Sequence, residues 1–184
     1  MVWRKNLKYA ACAAMLFTCA GAAPLSAASG ASGESEGSPA ADLRQIRRFV
    51  SVEVQTQGTA ERLGIKRGEL TDLARISLLN KIPGVGIEGT GIPTPDAGER
   101  LHQFGYFTCE VWTVGEQYIA AYHVDCTGGA YTAQRRPSPL WNQAILGYGP
   151  KEEVSDAVLK GMRALVEHFA ATVASARAEG GGTR

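Results

Sequence analysis

The stretch "YFTCEVWTVGEQYIAAYHVDC", Tyr106 to Cys126, constrains the fold more than any other part of the chain. Two runs rich in β-branched and aromatic residues flank a break at Gly115-Glu116, the pattern of an antiparallel hairpin. Because side chains alternate between faces along a strand, one face carries Cys109 and Cys126. The other carries Tyr106, Thr108, Glu110 and Trp112 with Ile119, Ala121, His123 and Asp125. A turn at Gly115-Glu116 sets Cys109 opposite Tyr122, Cys126 opposite Gly105 and His123 opposite Thr108, diagonal to Glu110. The cysteines then stand about 13 Å apart along the ladder, beyond the roughly 7 Å between Cα atoms that a disulfide bridges. A turn displaced to Gln117-Tyr118 puts them directly opposite each other. Turn chemistry favours the first register and an oxidising compartment the second, so both stay open at this level.

The segments around the hairpin complete an α+β pattern. "RRFVSVEVQTQ" alternates Val50, Val52 and Val54 against Phe49, Ser51, Glu53 and Gln55, which predicts a half-buried strand. "ELTDLARISLLNKI" places Leu70, Leu73, Ala74, Ser77, Leu78 and Lys81 near helical spacing, with Ile76, Leu79 and Ile82 widening the apolar side. Val85 to Ile87 is a short second strand, and "EGTGIPTPDAGER" is a loop by its glycines and prolines. Leu140 to Leu146 is another strand, and Lys151 to about Arg177 a helix through Val154, Val158, Leu159, Met162, Leu165, Val166 and Phe169. The order β-α-(β)-β-β-β-α predicts a mainly antiparallel sheet of about 4–5 strands with two helices packed on one face.

The junction "ILGYGPKEEV" raises the question of a phosphate loop at a helix N-terminus. Pro150 removes one N–H there, and Glu152 and Glu153 would repel an anion. Gly147 and Gly149 are instead expected to let the chain leave the strand, with Pro150 starting the helix.

The ends of the chain point to export. Arg4, Lys5 and Lys8 precede an uncharged, alanine-rich run and small residues, the layout of a secretory signal peptide. Cleavage is expected after Ala22, or as late as Ala28. An alternative is lipidation at Cys19, although Phe17 and Thr18 suit a lipoprotein signal badly. Residues 23–41 have the Ala, Ser, Gly and Pro composition of a disordered linker, 42–178 form a single domain, and 179–184 a disordered tail.

Composition and motifs exclude several chemistries. Loss of Arg4, Lys5 and Lys8 lowers Lys+Arg from 19 to 16 against 18 Asp+Glu, without the basic stripe of a nucleic-acid binder. The zinc-protease helix and the penicillin-binding signature do not occur in the sequence. Cys109 and Cys126 are not a C-x-x-C pair, and Glu152-Glu153 point in different directions on a helix. No catalytic residue and no cofactor is therefore assigned. A His123, Asp125 and Glu110 cluster is geometrically conceivable for a metal or small ligand, with His102 and His168 as further histidines, but a solvated sheet face explains it as well. The many large rings, Tyr106, Trp112, Tyr118, Tyr131, Trp141 and Tyr148, are more suggestive. Such rings are enriched at recognition surfaces, and a patch around Trp112 and Tyr106 is the best binding candidate.

The combination "AERLGIKRGELTDLARISLLNKIPGVGI", the hairpin, "LWNQAILGYG" and the closing "VSDAV…LVEHFAATV" helix resembles a recurrent group of small exported bacterial proteins of uncharacterised function. The resemblance covers nearly all of Val50 to Val173. At fold level the order is also similar to the α/β domains of periplasmic assembly lipoproteins, such as activators of peptidoglycan synthases. It implies location and architecture, not mechanism. The expectation is an exported, periplasmic or envelope-associated, non-enzymatic domain that binds an envelope or extracellular protein through a sheet face or edge. It would bind no nucleic acid and would meet a membrane only if Cys19 is lipidated; the oligomeric state is left open.

Overall fold

The computed structural model describes residues 38–89, 91, 93–95, 100–115 and 117–181. The signal segment, Cys19, most of the 23–41 linker and residues 182–184 lie outside them. Among the described residues, five strands and three α-helices follow in the order α1 (Pro39–Gln45), β1 (Arg48–Gly58), α2 (Arg67–Lys81), β2 (Gly86–Ile87), β3 (Phe104–Val114), β4 (Ile119–Tyr131), β5 (Pro137–Pro150) and α3 (Lys151–Gly181). The strands form one sheet in the order β2-β1-β3-β4-β5. Its β1 ladders to β2 and β3 are parallel, while β3 with β4 and β4 with β5 are antiparallel, so the sheet is mixed. The expected α+β class and the mostly antiparallel pairing hold. The helix count does not, and with it the element order, because α1 is additional: its seven residues with one buried apolar side chain, Leu43, offer no helical period to detect.

One hydrophobic cluster unites Leu43 of α1, Leu70, Ala74 and Leu78 of α2, and Val154, Val158, Met162, Val166 and Phe169 of α3 with the sheet residues Val52, Val54, Phe107, Val111 and Val124. All three helices therefore cover the same face. Phe169 is its centre, stacked on Phe107 with ring centroids 5.1 Å apart and set edge-on to Phe49 at 6.0 Å. Gly128 leaves the room that ring needs, since a Cβ there would lie 2.4 Å from it. The widened apolar side of α2 is buried only in part: Ile82 is in the core, whereas Ile76 and Leu79 point to solvent.

Two details of the strands depart from the sequence reading. A bulge at Val50 separates the pairs Phe49↔Gly105 and Ser51↔Tyr106, and this one-residue slip turns Phe49 from the polar phase into the core. In β5 the ladder continues through Gly147 and Gly149, which pair with Tyr122 and Ala120. The glycines are thus inside the strand and not its exit. Gly147 is there because the Tyr122 ring lies over it, 2.5 Å from where a Cβ would be. Pro150 closes the strand and Lys151 opens α3, donating its N–H to the Tyr118 carbonyl at 3.2 Å.

Candidate protein interface on the open sheet face

The hairpin adopts the displaced register. Cys109 lies directly opposite Cys126, Glu110 opposite Asp125, Trp112 opposite His123 and Val114 opposite Ala121. A disulfide joins Cys109 and Cys126, whose Cα atoms are 4.1 Å apart, on the helix-covered face, where both side chains are buried. The tight turn at Gly115-Glu116 is replaced by a longer connection that Gly115 enters with φ 101°, a conformation natural only to glycine. The pairing of Cys109 with Tyr122, of Cys126 with Gly105 and of His123 with Thr108 is therefore corrected. Both registers put the same side chains on the same face, so burial does not choose between them; the covalent bond does.

Among the described residues no helix lies on the second face of the hairpin, and its two ends differ. At the β3 start, Tyr106 is only 6% exposed, against Tyr131 with ring centroids 5.8 Å apart and an interplanar angle of 71°. Burial first, and then the neighbouring Tyr131, push the Tyr106 hydroxyl up to about 12. Burial and then Glu53 raise Tyr131 in the same direction. Tyr106 is thus packed away and does not join Trp112 in one surface patch.

Toward the hairpin tip the face is bare. Trp112 of β3 is 48% exposed, and its neighbours across the ladder are His123 and then Leu146, which is 81% exposed. The next row runs from Val114 through Ala121 to Tyr148, 83% exposed, and Ile119 and Tyr118 extend it at the tip. Three strands so bring five large apolar side chains, from Trp112 to Tyr148, into one solvent-facing area. Contiguous patches of this kind mark sites of association on proteins otherwise free of them. The Trp112 indole N–H donates to Glu110 Oε2 at 3.3 Å, which satisfies its polar edge and leaves the ring face free.

Beyond this patch the face turns polar. Glu110 and Asp125 sit opposite each other, and Asn142 donates to Asp125 Oδ1 at 2.8 Å and to Thr127 Oγ1 at 3.0 Å. His123 is diagonal to Glu110, next to both carboxylates in the ladder. Even so, no group of three or more His, Cys, Asp or Glu among the described residues is arranged to hold a metal ion. His168 lies on the other side of the sheet, where its Nδ1 meets Gln143 Oε1 at 2.6 Å. Beside it a groove of about 440 Å³ runs between α1 and α3, lined mainly by Pro39, Leu43, Leu140, Ala171 and Ala176. Trp141 is core filler, 5.2 Å from the Phe169 ring.

Of the residues singled out from sequence, Trp112 and His123 belong to the exposed area, Asp125 borders it, and Tyr106 does not reach it. Val114, Ile119, Leu146 and Tyr148 complete it. Their signal was present as apolar residues on the outward phase of each strand, but only the β4–β5 pairing shows that they meet.

No protein-family model matches the sequence, and comparison with curated proteins found no match. Among solved structures, a PelC dodecamer from Paraburkholderia phytofirmans is similar, with 7% identity over 70% of this chain and 88% of that one and a TM-score of 0.39. A likeness that remote carries no argument about activity, partner or assembly.

Proposed function

We propose that this is an exported, non-enzymatic binding domain that engages a protein of the cell envelope through the hairpin end of its open sheet face. The observation that carries it is the set of exposed apolar side chains, Trp112, Val114, Ile119, Leu146 and Tyr148, on a face that no helix of the described residues covers. Trp and Tyr are the residues that most often dominate binding energy, and a half-exposed Trp112 with its N–H already bonded is suited to insert its ring into a partner. The buried Cys109–Cys126 bond supports an oxidising compartment, consistent with the signal-like first residues.

The test is co-purification of the full chain from an envelope extract, followed by affinity measurement with the isolated partner. Trp112→Ser should weaken binding by about thirtyfold or more, the loss of a central aromatic anchor. Unchanged affinity would contradict the reading. No reproducible partner would count against it equally.

A further inference from the structure

β5 is an edge strand with β4 as its hydrogen-bonded neighbour, and from Pro137 to Pro150 it contains no charged residue. Edge strands are ordinarily guarded by lysines, inward charges or bulges. Here Pro137, Pro139, a bulge at Leu140 and Pro150 lie at the ends of β5, and the segment Trp141 to Gly149 between them offers an unguarded edge.

The phase of its free backbone groups follows from the disulfide pair. A Cα separation of 4.1 Å identifies Cys109 and Cys126 as a non-hydrogen-bonded pair of the β3–β4 ladder. Cys126 therefore directs its N–H and C=O toward β5, and its carbonyl also accepts from Asn142 Nδ2 at 3.3 Å. Its β5 partner is Gln143, so alternation leaves the N–H and C=O groups of Asn142, Ala144, Leu146 and Tyr148 pointing outward from the edge.

We propose that two copies of the chain associate about a two-fold axis at Leu146, pairing their β5 edges antiparallel into one continuous sheet. In that register Leu146 meets Leu146 of the second copy in a hydrogen-bonded pair. Tyr148 lies opposite Ala144 on the open face, and Ile145 opposite Gly147 on the helical face, so each large side chain meets a small one. A two-fold interface demands such self-complementarity, and an uncharged strand meets it without like-charge repulsion.

The helix layer above β5 is compatible with a second copy. Gly161 of α3 sits on Ile145, and His168 on Gln143, which identifies the flank of α3 over the strand. By helical spacing Ala157, Ala164 and Ala171 share that flank, while the charged Asp156, Lys160, Arg163 and Glu167 are exposed on another. A neighbouring α3 can approach closely along such small residues. A foreign peptide added to the edge would not call for this.

This association uses the edge of the sheet, whereas the envelope-protein reading uses its face; Leu146 and Tyr148 belong to both. Analytical ultracentrifugation of the full chain should give a concentration-dependent dimer. Leu146→Lys and Leu146→Glu, at an exposed position that leaves the fold intact by circular dichroism, should each weaken dimerisation by roughly a hundredfold or more. An equimolar mixture of the two variants should restore it, since only the two-fold brings position 146 against itself. A monomeric wild-type chain overturns the proposal, as does a dimer unaffected by either charge or a mixture that fails to re-associate. Trp112→Ser separates the two ideas: it should leave the dimer intact while envelope-partner binding falls.

Discussion

The two faces of the β3–β4 hairpin are built from adjacent residues and have opposite fates. On one, Val111 lies against Val124 with neither exposed, beside the Cys109–Cys126 bond and beneath α3. On the other, one residue along, Trp112 lies against His123 and looks onto solvent. Hydrophobicity alone does not separate them, since Trp112, Ile119, Leu146 and Tyr148 are as apolar as much of the core. What separates them is which face the helices close. The covered face secures the fold, and the open face keeps apolar surface available for a partner.

Several substitutions would break or sharpen this contrast. The largest effect belongs to Phe169→Ala, which removes the ring packed against Phe49, Phe107 and Trp141. It should cost about 3–5 kcal/mol in denaturant unfolding. A loss below about 1 kcal/mol, within the range of surface changes, would show that the core is not organised around it. Next comes the double variant Cys109→Ala, Cys126→Ala. Releasing a cross-link between residues 17 apart in sequence should lower stability by about 3 kcal/mol in denaturant unfolding.

The third is a pH effect at the closed end of the open face. The Tyr106 hydroxyl is held up to about 12 against an ordinary value of 10.0, so the folded chain keeps this proton where the unfolded chain has lost it. Stability is therefore intact below pH 10 and declines as pH rises from 10 toward 12. Tyr106→Phe should flatten that alkaline decline in thermal midpoints, and an unchanged slope would assign it elsewhere. The smallest effect belongs to the bare end: Val114→Ser, at an exposed position, should change stability by no more than about 0.5 kcal/mol.

Much of the fold was legible because periodicity reports which side of an element is apolar. The β1 alternation from Ser51 to Gln55, the α3 stripe from Val154 to Phe169 and the division of the hairpin into a cysteine face and a tryptophan face all survive in the structure. Register was not legible, because moving each strand by two residues leaves every side chain on its original face. The bulge at Val50 was hidden for a related reason: a single inserted residue reverses the phase of Phe49 without altering composition. The short α1 helix has too few residues to show a period, and its end is held from far along the chain by Arg177, which donates to the Ile46 carbonyl.

The interface was half legible. Trp112 stood out as a large ring on a polar strand phase, and it is exposed. Tyr106 stood out by the same argument and is buried, because Tyr131 and the glycine opposite it, Gly129, give its ring a place to lie. Leu146 read as an ordinary strand residue. Its exposure follows from the open side of β5, which no local pattern encodes.

The central claim, that the bare end of the open face receives a protein partner, is tested most directly by photo-crosslinking in living cells. A crosslinking residue would replace Ile119, at the hairpin tip of the open face, or Ile76, an exposed apolar position on α2. The expected result is an adduct with one envelope protein from position 119, lost with Trp112→Ser and absent from position 76. No adduct from 119, or equal capture from both positions, would contradict the claim.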